Sequence, residues 1–174
     1  MPQSITMPSP ADPRRESIAW SGLHERLLRC ARSLVGRGRA DLAEELVQET
    51  LLRLLSRGEH PASVPYAYAR TTLVRLWLDE QRGAARRLRR AARWAVSRVG
   101  HAAPDPAGAD ERRDAVRIAV EGLTPAQRAA VTLRIVEELS YTDIAHAMGC
   151  TPDVVRATLH RARTRLRDRL GEPS

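Results

Sequence analysis

LTPAQRAAVTLRIVEELSYTDIAHAMGCTPDVVRATLHRARTRLRDRL, running from Leu123 to Leu170, carries three helix starts in succession. Thr124, Pro125 and Gln127 supply an N-cap, a proline at the first helical position and a capping-box glutamine. Ala130, Val131, Leu133 and Ile135 follow as the apolar positions of that helix. Ser140 and Asp143 repeat the device for a short helix that Gly149 ends. Thr151 and Pro152 open a last helix with Val155, Leu159, Ala162, Leu166 and Leu170 along one face. A short helix, a tight turn at glycine and a longer basic helix make the helix-turn-helix pattern, whose second helix enters the major groove. Ala145 sits where the two helices must approach closely, Gly149 where a positive φ is cheap, and Val155 at the apolar junction.

The other face of the last helix carries Arg156, His160, Arg161, Arg163, Arg165 and Arg167, offset only by Asp168. Arginine there forks onto guanine edges or clamps phosphates. The first turns of a recognition helix reach the bases, so Arg156, Ala157, Thr158, His160 and Arg161 are base-edge candidates, and Arg163 and Arg165 are expected on the backbone. The bland alternative is a helical hairpin with a solvated basic face. Two consecutive caps weigh against it, and so does the charge of the whole chain: +8 over 174 residues, with all 29 basic side chains arginine. Hydrophobic residues make up 43% with no Phe, so the core must be Leu, Val, Ile and Ala, which favours helices over sheets.

Upstream, Leu23, Leu27, Leu28, Ala31, Leu34 and Val35 recur at helical spacing and stop at Gly36 and Gly38. Asp41 then opens DLAEELVQETLLRLLSR, with Leu42, Leu46, Val47, Leu51, Leu54 and Leu55 as its apolar stripe and Gly58 at its end. Asp41, Glu44, Glu45 and Glu49 all precede Arg53, which makes this helix a poor DNA surface. It is either an acidic N-terminal half suited to the helix dipole or a protein-docking face with Gln48 available for hydrogen bonds. After the proline-broken loop EHPASVP, Tyr66 begins YAYARTTLVRLWLDEQR, with Ala69, Leu73, Leu76 and Trp77 as its expected buried face. Tyr66, Tyr68 and Trp77 interleave with Arg70, Arg75 and Arg82, a mixture suited to stacking unpaired bases, although Tyr66 and Trp77 taken singly fit a core as well. Seven arginines and no acid lie between Arg82 and Arg98, where the third helix is expected to continue at least to Arg90.

The expected organisation is all-α: a proline-rich mobile tail over 1–16, a helical domain over 17–98, a flexible Gly/Pro/Ala linker over 99–114 and a helix-turn-helix domain over 115–174. No catalytic constellation is legible, for the histidines His24, His60, His101, His146 and His160 are scattered and no metal or phosphate-loop motif is present. His146 and Cys150 share a helical spacing but lack partners for zinc, so neither a metal nor a cofactor is expected. Cys30 is expected in the core and Cys150 buried in the turn. Two distant cysteines suit a reducing compartment, and no apolar run reaches membrane-spanning length, so a cytoplasmic chain without membrane insertion is expected.

AEELVQETLLRLL, from Ala43 to Leu55, resembles region two of bacterial RNA polymerase sigma factors, and Leu123–Leu170 resembles their region four. The pair, in this order and joined by a short linker, is similar to the extracytoplasmic-function (ECF) group. The resemblance implies that Asp41, Glu44, Glu45, Gln48 and Glu49 dock on the clamp coiled coil of core RNA polymerase. It implies that Tyr66, Tyr68, Arg70, Arg75 and Arg82 capture the non-template strand of the minus-ten element. Thr142, Arg156, Ala157, Thr158, His160, Arg161, Arg163 and Arg165 would meet the minus-thirty-five duplex. Promoter DNA, core polymerase and an anti-sigma protein are the implied partners, with no small-molecule substrate. Opening DNA by capturing a flipped base needs no catalytic residue. The chain departs from the family at Arg75, Trp77, Asp153, Val154 and Thr158, which leaves its promoter sequence undefined. A self-sufficient helix-turn-helix regulator, dimerising or sensing a ligand through its first domain, is the alternative.

Overall fold

The computed structural model describes residues 13–36, 38–59, 64–92 and 109–171. Seven helices and no strand are found among them: α1 (Pro13–Val35), α2 (Ala40–Ser56), α3 (Tyr66–Ala92), α4 (Ala109–Glu121), α5 (Pro125–Ile135), α6 (Tyr141–Met148) and α7 (Pro152–Leu170). The all-α architecture is as expected, and α3 runs through Gly83 to Ala92, past the Arg90 set as its minimum. Two boundaries differ. Helix begins at Pro13 instead of 17, because proline is well tolerated in a first helical turn, where its missing N–H has no partner to lose. The expected linker gives way to helix at Ala109, since glycine and proline end at Gly108 and do not return before Gly122. The remainder of the expected tail and linker lies outside the described residues.

Helices α1, α2 and α3 form the first lobe. Leu27, Ala31 and Leu34 of α1, Ala43, Val47 and Leu54 of α2, and Ala69, Leu73 and Trp77 of α3 are all buried. Leu55, placed by its spacing on the apolar stripe of α2, is instead 48% exposed. Helices α4 to α7 form the second lobe, whose local geometry follows the capping residues. The Thr124 hydroxyl accepts from the Gln127 N–H while the Gln127 side chain accepts from the Thr124 N–H, completing the capping box. Ser140 accepts from the Asp143 N–H and Thr151 from the Val154 N–H. Gly149 takes φ 66°, a left-handed conformation that a residue with a Cβ adopts only at a cost, and turns the chain from α6 into α7.

The two lobes pack against one another, α1 and α3 against α5 and α6, and their buried apolar side chains form one connected cluster. Polar groups lock the seam. Arg128 of α5 donates to the Leu34 carbonyl at the end of α1 at 3.3 Å and to the Glu121 carbonyl at the end of α4. Arg75 of α3 donates to the His146 carbonyl at 2.7 Å, satisfying the C-terminal end of α6.

Candidate functional site

Acidic residues of α2 divide into two sets. Asp41, Glu45, Gln48 and Glu49 are exposed, whereas Glu44 faces α1, with its carboxylate oxygens 3.6 Å from both His24 and Arg32. Asp41, Glu45 and Gln48 recur at one helical face, and Leu52 continues it at 60% exposure, followed by Leu55. Beside this stripe runs a groove of about 400 Å³ between α2 and α3, lined by Glu45, Glu49, Asp79 and Glu80, by Leu42, Leu46 and Leu76, and by Arg53, which pairs with Glu49 at 2.7 Å. An exposed apolar ridge rimmed by carboxylates suits a basic protein partner and repels DNA. Sequence reasoning missed Leu52, Asp79 and Glu80 here. The signal available was that Asp79 and Glu80 are the sole acids in the long basic α3.

The five aromatic and basic candidates on α3 do not share one surface. Tyr68, Arg75 and Arg82 recur every seven residues and lie on one face of the helix, all exposed. Arg57 donates to the Tyr68 hydroxyl at 3.0 Å, and Arg82 pairs with Asp79 at 2.9 Å. Tyr66 and Arg70 turn instead toward the second lobe. The Arg70 guanidinium is buried against Glu137 at 3.1 Å, and the Tyr66 hydroxyl donates to the same carboxylate at 3.0 Å.

On α7, Arg156, Ala157, His160, Arg161, Arg163 and Arg165 are exposed, as is Thr142 on α6. Arg156 forms an ion pair with Asp153 one turn before it. Thr158 requires correction: it is buried, because it lies three residues past Val155 and four before Ala162, on the stripe that packs into the lobe. Val154, outside the expected set, is 48% exposed in the first turn, where an apolar side chain can meet a thymine methyl.

Cys30 is fully buried beneath the seam. Burial, then the neighbouring Glu137 carboxylate, push its thiol up to about 12. Burial also raises the Tyr66 phenol. Cys150 is half-buried, short of the burial expected for it, and its thiol is raised by desolvation alone. Thiolates are the reactive species, so alkylation of the native chain at pH 8 is expected to label Cys150 and spare Cys30 until denaturant is added, a contrast that peptide mass mapping reads. Groups whose folded pKa is raised leave stability intact below their unfolded values and withdraw it above them. Thermal midpoints should therefore hold to about pH 9 and fall as pH rises toward 12. No group of three or more His, Cys, Asp or Glu arranged to hold a metal occurs among the described residues, and no helix there is long and apolar enough to cross a membrane.

An acidic first-lobe face joined to a helix-turn-helix with an arginine-lined outer face defines a two-lobed helix-turn-helix protein with two exposed surfaces of opposite charge. Residues 20–93 match the Sigma-70 region 2 family and residues 113–166 the Sigma-70, region 4 family. The RNA polymerase sigma factor CarQ of Myxococcus xanthus is 32% identical over 75% of this chain and 76% of its own length. The ECF RNA polymerase sigma factor EcfG of Rhodopseudomonas palustris is 32% identical over 74% and 71%. The chain therefore belongs to the ECF group of RNA polymerase sigma factors. It spans about half the length of other relatives, such as SigE of Mycolicibacterium smegmatis, which is 34% identical over 76% of this chain and 53% of its own. The fold is similar to that of the sigma factor RpoE from Bartonella quintana, solved with the anti-sigma factor NepR: TM-score 0.63 and 23% identity over 92% of this chain and 99% of that one.

Proposed function

We propose that the chain is a non-catalytic specificity subunit that binds core RNA polymerase and directs promoter recognition, DNA opening and the start of transcription. The observation that carries this proposal is the pairing of two exposed surfaces of opposite character. One is the acidic and apolar α2–α3 groove, the other the basic outer face of α7. A DNA-binding module acting alone has no use for the first of these.

In this account Asp41, Glu45, Gln48 and Glu49 dock the polymerase, with Leu52 as the apolar anchor, while Glu44 holds α2 to α1. Arg156, Ala157, His160 and Arg161 read the edges of the minus-thirty-five element, Thr142, Arg163 and Arg165 hold its phosphates, and Thr158 shapes α7 from inside. Tyr68 and Arg82 track the non-template strand of the minus-ten element, joined by Tyr66, Arg70 and Arg75 once the lobes part. A strand caught as it opens transiently is withdrawn from re-pairing, so binding energy alone drives melting. The solved complex of RpoE with NepR supports an anti-sigma protein as a further partner, and the cytoplasm, where core polymerase acts, is the compartment proposed for the chain. Co-elution with purified bacterial core polymerase tests the docking. Tight association that rising salt weakens is the expected result, and failure to co-elute at low salt overturns the assignment.

A further inference from the structure

Between the lobes, Arg26 and Arg29 of α1, Tyr66 and Arg70 of α3 and both Glu137 and Glu138 of the α5–α6 turn line a cleft of about 290 Å³. The Arg26 guanidinium lies 3.8 Å from the centre of the Tyr66 ring and that of Arg70 5.3 Å from it, so both cations pack against one aromatic ring. Glu137 enters from the opposite lobe and takes both ends of this arrangement, Arg70 on one carboxylate oxygen and the Tyr66 hydroxyl on the other. Arg70 Nε is buried and without a hydrogen-bond partner, so the fork is only partly satisfied by the carboxylate. An anion with more acceptor oxygens would satisfy it better.

The turn that delivers Glu137 is built at a cost. Glu138 beside it holds φ 53°, in the left-handed region, at about 1 kcal/mol or more for a residue with a Cβ. Backbone hydrogen bonds from Glu137 to the Thr132 carbonyl and from Leu139 to the Leu133 carbonyl fix the conformation. Glu137 is thus held at the cleft by the backbone and not merely swept in by a long side chain.

We propose that this arginine–tyrosine cleft is a binding site for one phosphate and the adjoining base of single-stranded DNA, and that Glu137 fills it in the closed chain as an internal stand-in for the phosphate. Arg26 and Arg29, on a helix that nothing else connects with DNA, thereby become strand-binding residues. The proposal rests on the sigma-factor reading for its place in initiation, but not for its test. Engaging the strand and closing the lobes are mutually exclusive, since both require Arg70 and Tyr66. The site is therefore covered until the lobes separate, while the docking groove and the outer face of α7 stay open.

Fluorescence anisotropy of labelled oligo(dT) with the full chain, without polymerase, tests this. Glu137→Gln, which removes the charge and keeps the shape, is expected to tighten binding by about tenfold at low salt, and Glu137→Asp by less. Adding Arg70→Ala to Glu137→Gln should abolish the gain. Glu25→Gln, an equal charge change at an exposed α1 residue that does not line the cleft, should move binding less than about twofold. Circular dichroism confirms that the helices persist, and should Glu137→Gln fail to fold, the aspartate variant carries the test. Equal binding by the wild-type chain and the folded variants, or an equal gain from Glu25→Gln, overturns the proposal. Absence of polymerase-dependent transcription would overturn the sigma reading while leaving this result standing.

Discussion

Trp77→Ala lowers the stability of the first lobe by about 3 to 5 kcal/mol. Trp77 is 2% exposed in the middle of α3, with Leu73, Val74 and Leu78 of the same helix buried around it in the cluster that α1 and α2 complete. Among the described residues no other buried side chain matches its volume. The cavity left by its removal cannot be refilled by small shifts of leucine and valine. For a chain of this size the thermal midpoint should fall by about 10 °C or more. Trp77→Leu, which restores part of the volume, should recover about half. A midpoint unchanged in the alanine variant would mean that α3 is not packed as described.

Glu45→Ala combined with Gln48→Ala weakens polymerase binding by roughly thirtyfold or more, equivalent to about 2 kcal/mol for loss of central contacts at an interface. Both side chains are exposed on the outer stripe of α2, next to Leu52, and neither supports the fold. Thermal stability should accordingly stay within about 0.5 kcal/mol of wild type. Glu44→Ala provides the contrast. It removes the carboxylate that meets His24 and Arg32 of α1, so it should cost a little stability and leave polymerase affinity nearly intact. Competition binding against a labelled sigma factor separates the two. A uniform loss across all three positions would indicate that α2 docks through its charge as a whole, not through the outer stripe.

Most of the second lobe was legible because its helices are set by local chemistry. Thr124 with Gln127, Ser140 with Asp143, and Thr151 with Pro152 each fix a helix start within a few residues, and Gly149 fixes the turn. Local signals of this kind survive in the linear sequence. Thr158 was misplaced because its polar type suggested a surface, whereas its spacing from Val155 and Ala162 already put it on the buried stripe. Leu55 shows the converse on α2: its place on the apolar stripe suggested core, yet the stripe is wider than the contact α1 and α3 can cover. The seam between the lobes was not legible at all. It depends on Arg70 meeting Glu137 and on Arg75 meeting the end of α6, pairings about seventy residues apart that no periodicity encodes. That is why Tyr66 and Arg70 looked equivalent to Tyr68 and Arg82 until the fold turned the first pair inward and left the second on the surface.

The role proposed for the chain is to give core polymerase a promoter. Run-off transcription with purified bacterial core polymerase, the full chain and fragmented DNA from its own genome, followed by sequencing of transcript ends, reads that role out. Discrete start sites that share two spaced upstream elements, and that disappear when Glu45 and Gln48 are replaced by alanine, are expected. The contradicting result is the absence of chain-dependent transcripts together with tight binding to palindromic duplex DNA without polymerase. That outcome would describe a self-sufficient regulator.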